Sequence, residues 1–258
     1  MRHDAASAKG RDFIVVTCEH GGNRIPREYA SLFRGWHRVL RTHRGYDAGA
    51  LVMARELAAA LRAPLVASTV SRLLVDLNRS LSNPRAWSAA TRALPPDRKR
   101  RVVARHYAPY HRRVAAIVGE AIASGCRVVH VASHSFTPVL DGHARTCDIG
   151  LLYDPARAGE AALAQRWKAA FAEREPRLRV RRNYPYAGKG DGLTRSLRRR
   201  FPPARYVGIE LEINQAFVRD GGRAWRDVRA CVVSTLQAAL GPARTRAAGL
   251  KLSRSSAR

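Results

Sequence analysis

Two histidines stand where an imidazole could do chemistry. The stretch VASHSFTPVL (131–140) brings His134, Ser135 and Phe136 to the end of an apolar run that reads as a buried strand, and CEHGGN (18–23) puts Glu19, His20 and Asn23 just past the end of another. Gly21 and Gly22 permit a tight turn there and a close approach of backbone to ligand. Asp47, at the end of RTHRGYD, adds a carboxylate. Two histidines and one carboxylate with an open fourth position are the common donor set of a hydrolytic zinc site. Each residue also has a structural reading, as a capping or core histidine and, for Asp47, as the N-cap of a helix.

YVGIELEINQ (206–215) carries Glu210 and Glu212 two residues apart, so both carboxylates share one face of a strand. A buried strand rarely hides two carboxylates without reason. One is expected to pair with the chain's many arginines; the other is placed to accept a proton from a metal-activated water. In SRLLVDLNRS (71–80), Arg72, Asp76, Asn78 and Arg79 follow an apolar segment, and the adjoining amide and guanidinium of Asn78-Arg79 suit a substrate carboxylate. RNYPYAGKGDGLT (182–194), with its aromatics and three glycines, reads either as a lid over a pocket or as an ordinary long connection.

The elements that must position these residues alternate. Strand 12–18 leads through a loop to a helix over 46–62; PLVAST is a second strand, with RLLVDL extended behind it. An amphipathic helix over 97–123 closes at Gly125, and CRVVHVAS (126–133) returns as a β-branched strand. Strands 148–153, 178–182 and 206–213 then alternate with helices 157–173, 192–200 and 223–240. The pattern is that of an α/β fold, a mostly parallel or mixed sheet covered by helices on both faces, with ligands beyond the carboxyl ends of the strands.

At 258 residues and 46% hydrophobic content the chain can bury a substantial core. The boundaries expected are a flexible N-terminus (1–11), one domain (12–240) and a disordered basic tail (241–258). The formal charge of +27 would attract any polyanion. Of the 47 basic residues, however, only five are lysine and 42 are arginines spread along the chain, with dense runs at DRKRR, RVRRN and RSLRRR. That spread, without an RNA-recognition signature or a series of stacking aromatics, favours solvated basic faces over a dedicated nucleic-acid partner. A catalytically inactive nucleic-acid binder is the alternative. Four dispersed cysteines without C-x-x-C suit reduced thiols in the cytoplasm, and neither a secretory signal nor a membrane-length apolar run is present.

CEHGGNRIP, H-x3-D-x-GA at 43–50, SRLLVDLNRS, HSFTPVL, R-x2-DIGLLYD, NYPYAGKGDG and ELEINQ follow one another in an order that resembles the N-formylglutamate amidohydrolase family across residues 13–235. The resemblance implies a zinc-carboxypeptidase-like fold, a single zinc ion, and hydrolysis of N-formyl-L-glutamate to formate and glutamate, as in bacterial histidine breakdown. A peptidase or aminoacylase acting on another substrate would share the metal residues. Carried over by motif, His20 and His134 match the metal histidines. The position three residues after His20, acidic in a His-x-x-Glu pattern, is Asn23, so Asp47 takes the third place ahead of Asn23 or Glu19. The resemblance makes Glu212 the base, with Glu210 its rival, and a small anionic substrate held by Asn78-Arg79, with Arg72 and Arg145 as further candidates for its carboxylates.

Overall fold

The computed structural model describes residues 12–241; the expected flexible N-terminus and all but the first residue of the expected basic tail lie outside them. The strands are β1 (Asp12–Cys18), β2 (Leu65–Ala67), β3 (Arg127–Phe136), β4 (Val139–Leu140), β5 (His143–Ala144), β6 (Ile149–Leu152), β7 (Val180–Arg182) and β8 (Tyr206–Asn214). The helices are α1 (His37–Leu40), α2 (Ala50–Ala60), α3 (Pro96–Val102), α4 (Ala108–Ala123), α5 (Ala158–Arg174), α6 (Leu193–Arg200), α7 (Gln215–Asp220) and α8 (Gly222–Leu240). One π-helical stretch, Val103–Tyr107, joins α3 to α4, so the single helix expected over 97–123 has an irregular turn in its middle.

Six strands form one mixed sheet in the order β2-β1-β3-β8-β6-β7. The pairs β2-β1, β1-β3 and β3-β8 are parallel, β8-β6 is antiparallel and β6-β7 parallel. β1, β3 and β8, parallel neighbours, end at the same edge of the sheet, and β6 runs back along β8 from that edge. β4 and β5 form a separate two-stranded hairpin.

Alternation along the strands sorts the core into two layers. Val129, Val131, Ile209 and Leu211 pack with Leu57 of α2, Trp167 of α5 and Val232 of α8, while Val15, Val128 and Tyr206 pack with Val114 of α4 and Leu197 of α6. Both faces are therefore apolar, and the central strands read as near-continuous hydrophobic runs. On β3 and β8 the even-numbered positions face α4 and α6. His134, Glu210 and Glu212 are even-numbered, and that parity gathers them on one face.

Two expected elements differ. RLLVDL forms turns rather than a strand, although Leu73, Leu74 and Val75 are buried in a third apolar cluster with Tyr29, Phe33 and Val102, and Leu77 is buried in the cluster that holds Val15 and Tyr206. Burial, not strand pairing, accounts for its apolar run. The helix expected from residue 46 begins only at Ala50, because Gly49 takes a left-handed conformation (φ 80°) and ends the preceding turn. No helix among the described residues is long and apolar enough to cross a membrane.

Candidate active site

β1 ends at Cys18, and the next two residues, Glu19 and His20, are both about 1% exposed. The His20 carbonyl accepts a 2.9 Å hydrogen bond from the Asp47 backbone N–H, which ties the loop before α2 to the end of β1. The late start of α2 removes the N-cap reading of Asp47. Its side chain instead meets both histidines: Oδ2 lies 2.9 Å from His134 Nδ1 and 3.3 Å from His20 Nδ1. The two rings meet edge to face, centroids 5.2 Å apart.

The far nitrogen of each ring meets another carboxylate. His20 Nε2 lies 2.7 Å from Asp76 Oδ1, and His134 Nε2 lies 2.9 Å from Glu19 Oε2. Each imidazole thus stands between two carboxylates, Asp47 at Nδ1 and an outer one at Nε2; with its hydrogen on Nε2, the Nδ1 lone pair would be available to a cation. Outer carboxylates that orient ligating histidines in this way are a regular feature of metal sites. Glu19 is held in turn by the Tyr110 hydroxyl, which donates to Oε1 at 2.7 Å. Asp76 is held by Arg72, whose Nε and Nη2 both donate to Oδ2, at 3.1 and 2.7 Å.

Charge balance points the same way. Glu19, Asp47, Asp76 and Glu212 are all buried, and among the described residues only one guanidinium, Arg72, reaches into this group. Burial works against ionisation of Asp47 and Asp76, yet the neighbouring His20 and Arg72 hold both well below the usual carboxylate range. Glu19, opposed by the same burial, falls to about 2 through its contact with His134 and the hydroxyl of Tyr110. His134, between two carboxylates, is raised well above its ordinary value in spite of its burial. Three ionised carboxylates around two imidazoles make a pocket that stabilises positive charge, whether a proton on His134 or a divalent cation. His20, Asp47 and His134 offer donor atoms all within 4.8 Å of one another, a set that fits zinc by atom type and by the excess negative charge around it.

Glu212 is in register with His134 across the parallel β3-β8 pair. Its Oε2 is buried without a hydrogen-bond partner, and burial, reinforced by Asp47 and Glu210, pushes the carboxyl up to about 8. A carboxyl poised there can take and return a proton near neutral pH. Glu210, two residues earlier, lines the same cavity. It accepts a 2.5 Å hydrogen bond from the Thr194 hydroxyl and, among the described residues, forms no ion pair with arginine, contrary to the expectation for one of these two carboxylates.

The cavity has a volume of about 320 Å³, enough for an acylated amino acid. Of the four residues expected to grip substrate, the structure brings Arg72, Asn78 and Arg79 to its wall. Arg72 is spent: Asp76 takes two of its nitrogens, and Nη1 lies 3.3 Å from Asp47. Arg79 donates through Nη1 to the carbonyls of Asn78 and Asp191, with its other nitrogens free of protein hydrogen bonds among the described residues. The Asn78 Oδ1 accepts from the Leu193 N–H, and a Cβ at Gly192 would stand 2.5 Å from that oxygen, so glycine is required for this approach. Arg145 does not reach the wall. Its guanidinium donates to the Tyr186 hydroxyl at 2.9 Å and lies 4.9 Å from that ring's centroid, and Tyr186 lines the cavity in its place.

Asn23 donates through Nδ2 to the Leu40 carbonyl at 3.1 Å. The loop expected over 182–194 is pinned at several points. Asn183 Oδ1 accepts from the N–H groups of Tyr153 and Gly188, and Asp191 Oδ2 accepts from Ser80 and Asn83. The sequence reading held Glu19 only as an alternative third metal ligand and gave no site role to Asp76, Tyr110 or Thr194. For Asp76 a signal existed, an acid inside an apolar run four residues after Arg72. Tyr110 and Thr194 sit on helices with nothing in their local sequence to mark them.

A family model described as N-formylglutamate amidohydrolase matches residues 13–219. Among solved structures, the gene product Atu2144 from Agrobacterium tumefaciens is 32% identical, over 90% of this chain and 91% of its own, with a TM-score of 0.76. N-formylglutamate amidohydrolase from Ralstonia eutropha JMP134 is 19% identical over 90% and 94%, with a TM-score of 0.66, a likeness of fold. No curated protein matches the sequence.

Proposed function

The chain belongs to the N-formylglutamate amidohydrolase family, and from that premise we propose that it is a zinc-dependent amidohydrolase that cleaves the formyl amide of N-formyl-L-glutamate or a similar N-acyl amino acid. The observation that supports this reading best is the convergence of two imidazole Nδ1 atoms on Asp47, with each Nε2 held by a further carboxylate, directly beside an unpaired Glu212. His20, Asp47 and His134 would hold the ion, which when bound supplies Lewis acidity toward the amide carbonyl and a more acidic water.

The remaining roles belong to the chain's own groups. Glu212 takes the proton of the attacking water and returns it to the leaving amine, a double task suited to a buried carboxyl whose pKa burial has raised. Arg79, with free nitrogens at the cavity wall and Asn78 beside it, binds the α-carboxylate of the substrate. Asp76 and Glu19 keep the two imidazoles oriented, and Arg72 keeps Asp76 ionised. The positive field of the chain draws an anionic substrate toward the opening. The four free cysteines fit a reducing, cytoplasmic setting, and a place in histidine breakdown would follow if N-formyl-L-glutamate is the preferred substrate.

Formate release from a panel of N-formyl amino acids, measured on zinc-loaded and metal-free protein, tests the reading. One zinc per chain and loss of turnover on chelation are expected. Full turnover by metal-free protein would overturn the metal assignment, and no release from any substrate would overturn the amidohydrolase.

A further inference from the structure

Neither of the two arginines expected to serve a second substrate carboxylate is free to do so: Arg72 is neutralised by Asp76 and Asp47, and Arg145 does not reach the cavity wall. The wall carries another. The basic side chains that line it are those of His20, Arg72, Arg79, Arg85 and His134. Both histidines and Arg72 lie against two carboxylates each. Arg79 and Arg85 have no carboxylate oxygen within 4.0 Å among the described residues.

An arginine in a chain this basic is ordinarily just solvated, and what sets Arg85 apart is how firmly its backbone is held. Pro84 opens a single 3-10 turn over Pro84–Ala86, in which the Arg85 N–H donates to Asn83 Oδ1 at 2.9 Å. The Ala86 carbonyl accepts from the Asp76 N–H at 2.9 Å, so this turn is tied to the residue that orients His20. Asn83 is anchored in turn, donating through Nδ2 to Asp191 Oδ2 at 2.8 Å, while the Asp191 carbonyl accepts from Arg79 Nη1 at 2.7 Å. One residue of the loop over 182–194 therefore braces both arginines. The Arg85 guanidinium itself makes no hydrogen bond to the described residues, and Arg79 commits only Nη1. Arg79 is half-buried and Arg85 exposed, which sets the first deeper in the cavity and the second nearer its mouth. Two guanidinium forks with nitrogens to spare, carried on one braced segment, are complementary to a molecule with two carboxylates.

We propose that Arg85 is the residue that determines side-chain specificity: it receives the side-chain carboxylate of the substrate near the mouth of the cavity, while Arg79 holds the α-carboxylate. The inference rests on the amidohydrolase reading and divides its anion binding between two residues. Arg79 serves every N-acyl amino acid; Arg85 serves only those with an acidic side chain.

Calorimetric titration of zinc-loaded, full-length protein with L-glutamate and L-glutamine tests this without requiring turnover. The two are equal in length and differ in side-chain charge. Native protein is expected to bind glutamate about fivefold more tightly, the effect of a guanidinium–carboxylate pair still open to solvent. In Arg85→Gln the preference is expected to fall to within about twofold, and Arg85→Lys to keep part of it. Arg226→Gln removes the same charge from α8, outside the cavity, and is expected to keep the whole preference, which separates direct contact from the general field of the chain. Equal binding of the two amino acids by native protein, or no binding of either, would overturn the assignment. So would a preference kept in full by Arg85→Gln, or one lost equally in Arg226→Gln. With the N-formyl derivatives, Arg85→Gln is expected to raise KM for N-formyl-glutamate about fivefold, leaving kcat and the KM for N-formyl-glutamine within about twofold. Equal losses for both substrates would overturn the specificity role. Glutamate selection without formate release breaks the hydrolase and leaves the subsite, whereas release without selection keeps the hydrolase and removes the subsite.

Discussion

Two groups of buried charges share the same strand and helix and are balanced in opposite ways. Around Glu160, Arg198 donates from Nε to both carboxylate oxygens, and the Asp154 and Gly208 N–H groups donate to them as well. The other nitrogens of Arg198 reach the carbonyls of Gly188 and Gly208, and Arg157 donates to those of Arg198, Phe201 and Tyr206. Nearly every polar atom there has a partner. Around Asp47, among the described residues, four buried carboxylates meet one guanidinium, and Glu212 Oε2 has no hydrogen-bond partner. Helix α6 serves both groups from one face, Thr194 toward Glu210 and Arg198, four residues on, toward Glu160. The satisfied group joins elements together; the unbalanced one is shaped for a cation and a substrate that the chain does not supply itself.

If that contrast is right, substitutions in the two groups separate into different measurements. The largest effect is expected from His134→Ala, which removes one of three metal donors. Zinc measured after dialysis should be lost and turnover should fall to background, while stoichiometric zinc of unchanged affinity in this variant would break the metal assignment. Next is Glu212→Gln, which keeps shape and metal but cannot accept a proton, so kcat at equal zinc occupancy should fall by roughly 10²–10⁴. A larger loss of kcat in Glu210→Gln, with every substrate alike, would exchange the two roles. Arg198→Met should leave zinc affinity nearly unchanged and strand the Glu160 carboxylate, costing about 3–5 kcal/mol. For a chain of this size that is a fall in Tm of roughly 6–20 °C, and a variant as stable as the native protein would remove the structural role.

Much of this was legible in the sequence, because strand parity is a local property. The same-face placement of Glu210 and Glu212 and the positions of His20 and His134 near strand ends follow from alternation and from the β-α order. Other features depend on which distant segments meet. Arg198 lies in RSLRRR, a run that reads as a solvated basic face, and the exposed Arg195, Arg199 and Arg200 follow that reading while Arg198 is buried against Glu160. Nothing in the run distinguishes one arginine from the others; its partner is 38 residues away. Arg72 was read as a substrate anchor from its type and position, but Asp76 and Asp47 neutralise it, and only the fold of the intervening turns reveals that.

Asp76 gives the smallest and most discriminating of these effects, because it touches neither substrate nor the donor side of His20. It lies 2.7 Å from His20 Nε2 and accepts the guanidinium of Arg72 on its other oxygen. Asp76→Asn keeps the volume and can still accept a hydrogen bond from Nε2–H, but removes the charge that makes the imidazole a stronger donor. Loss of such an outer partner ordinarily costs 10–100-fold in metal affinity or activity. The expected result is weaker zinc binding by about that factor in a competition titration, with most of the lost turnover recovered at saturating zinc. Arg72, freed from one of its two acids, would still face Asp47, so Tm should fall less than in Arg198→Met. A large loss of Tm with unchanged zinc affinity would place Asp76 with the Glu160 group, as a structural ion pair, and erase the distinction between the two sets of buried charges.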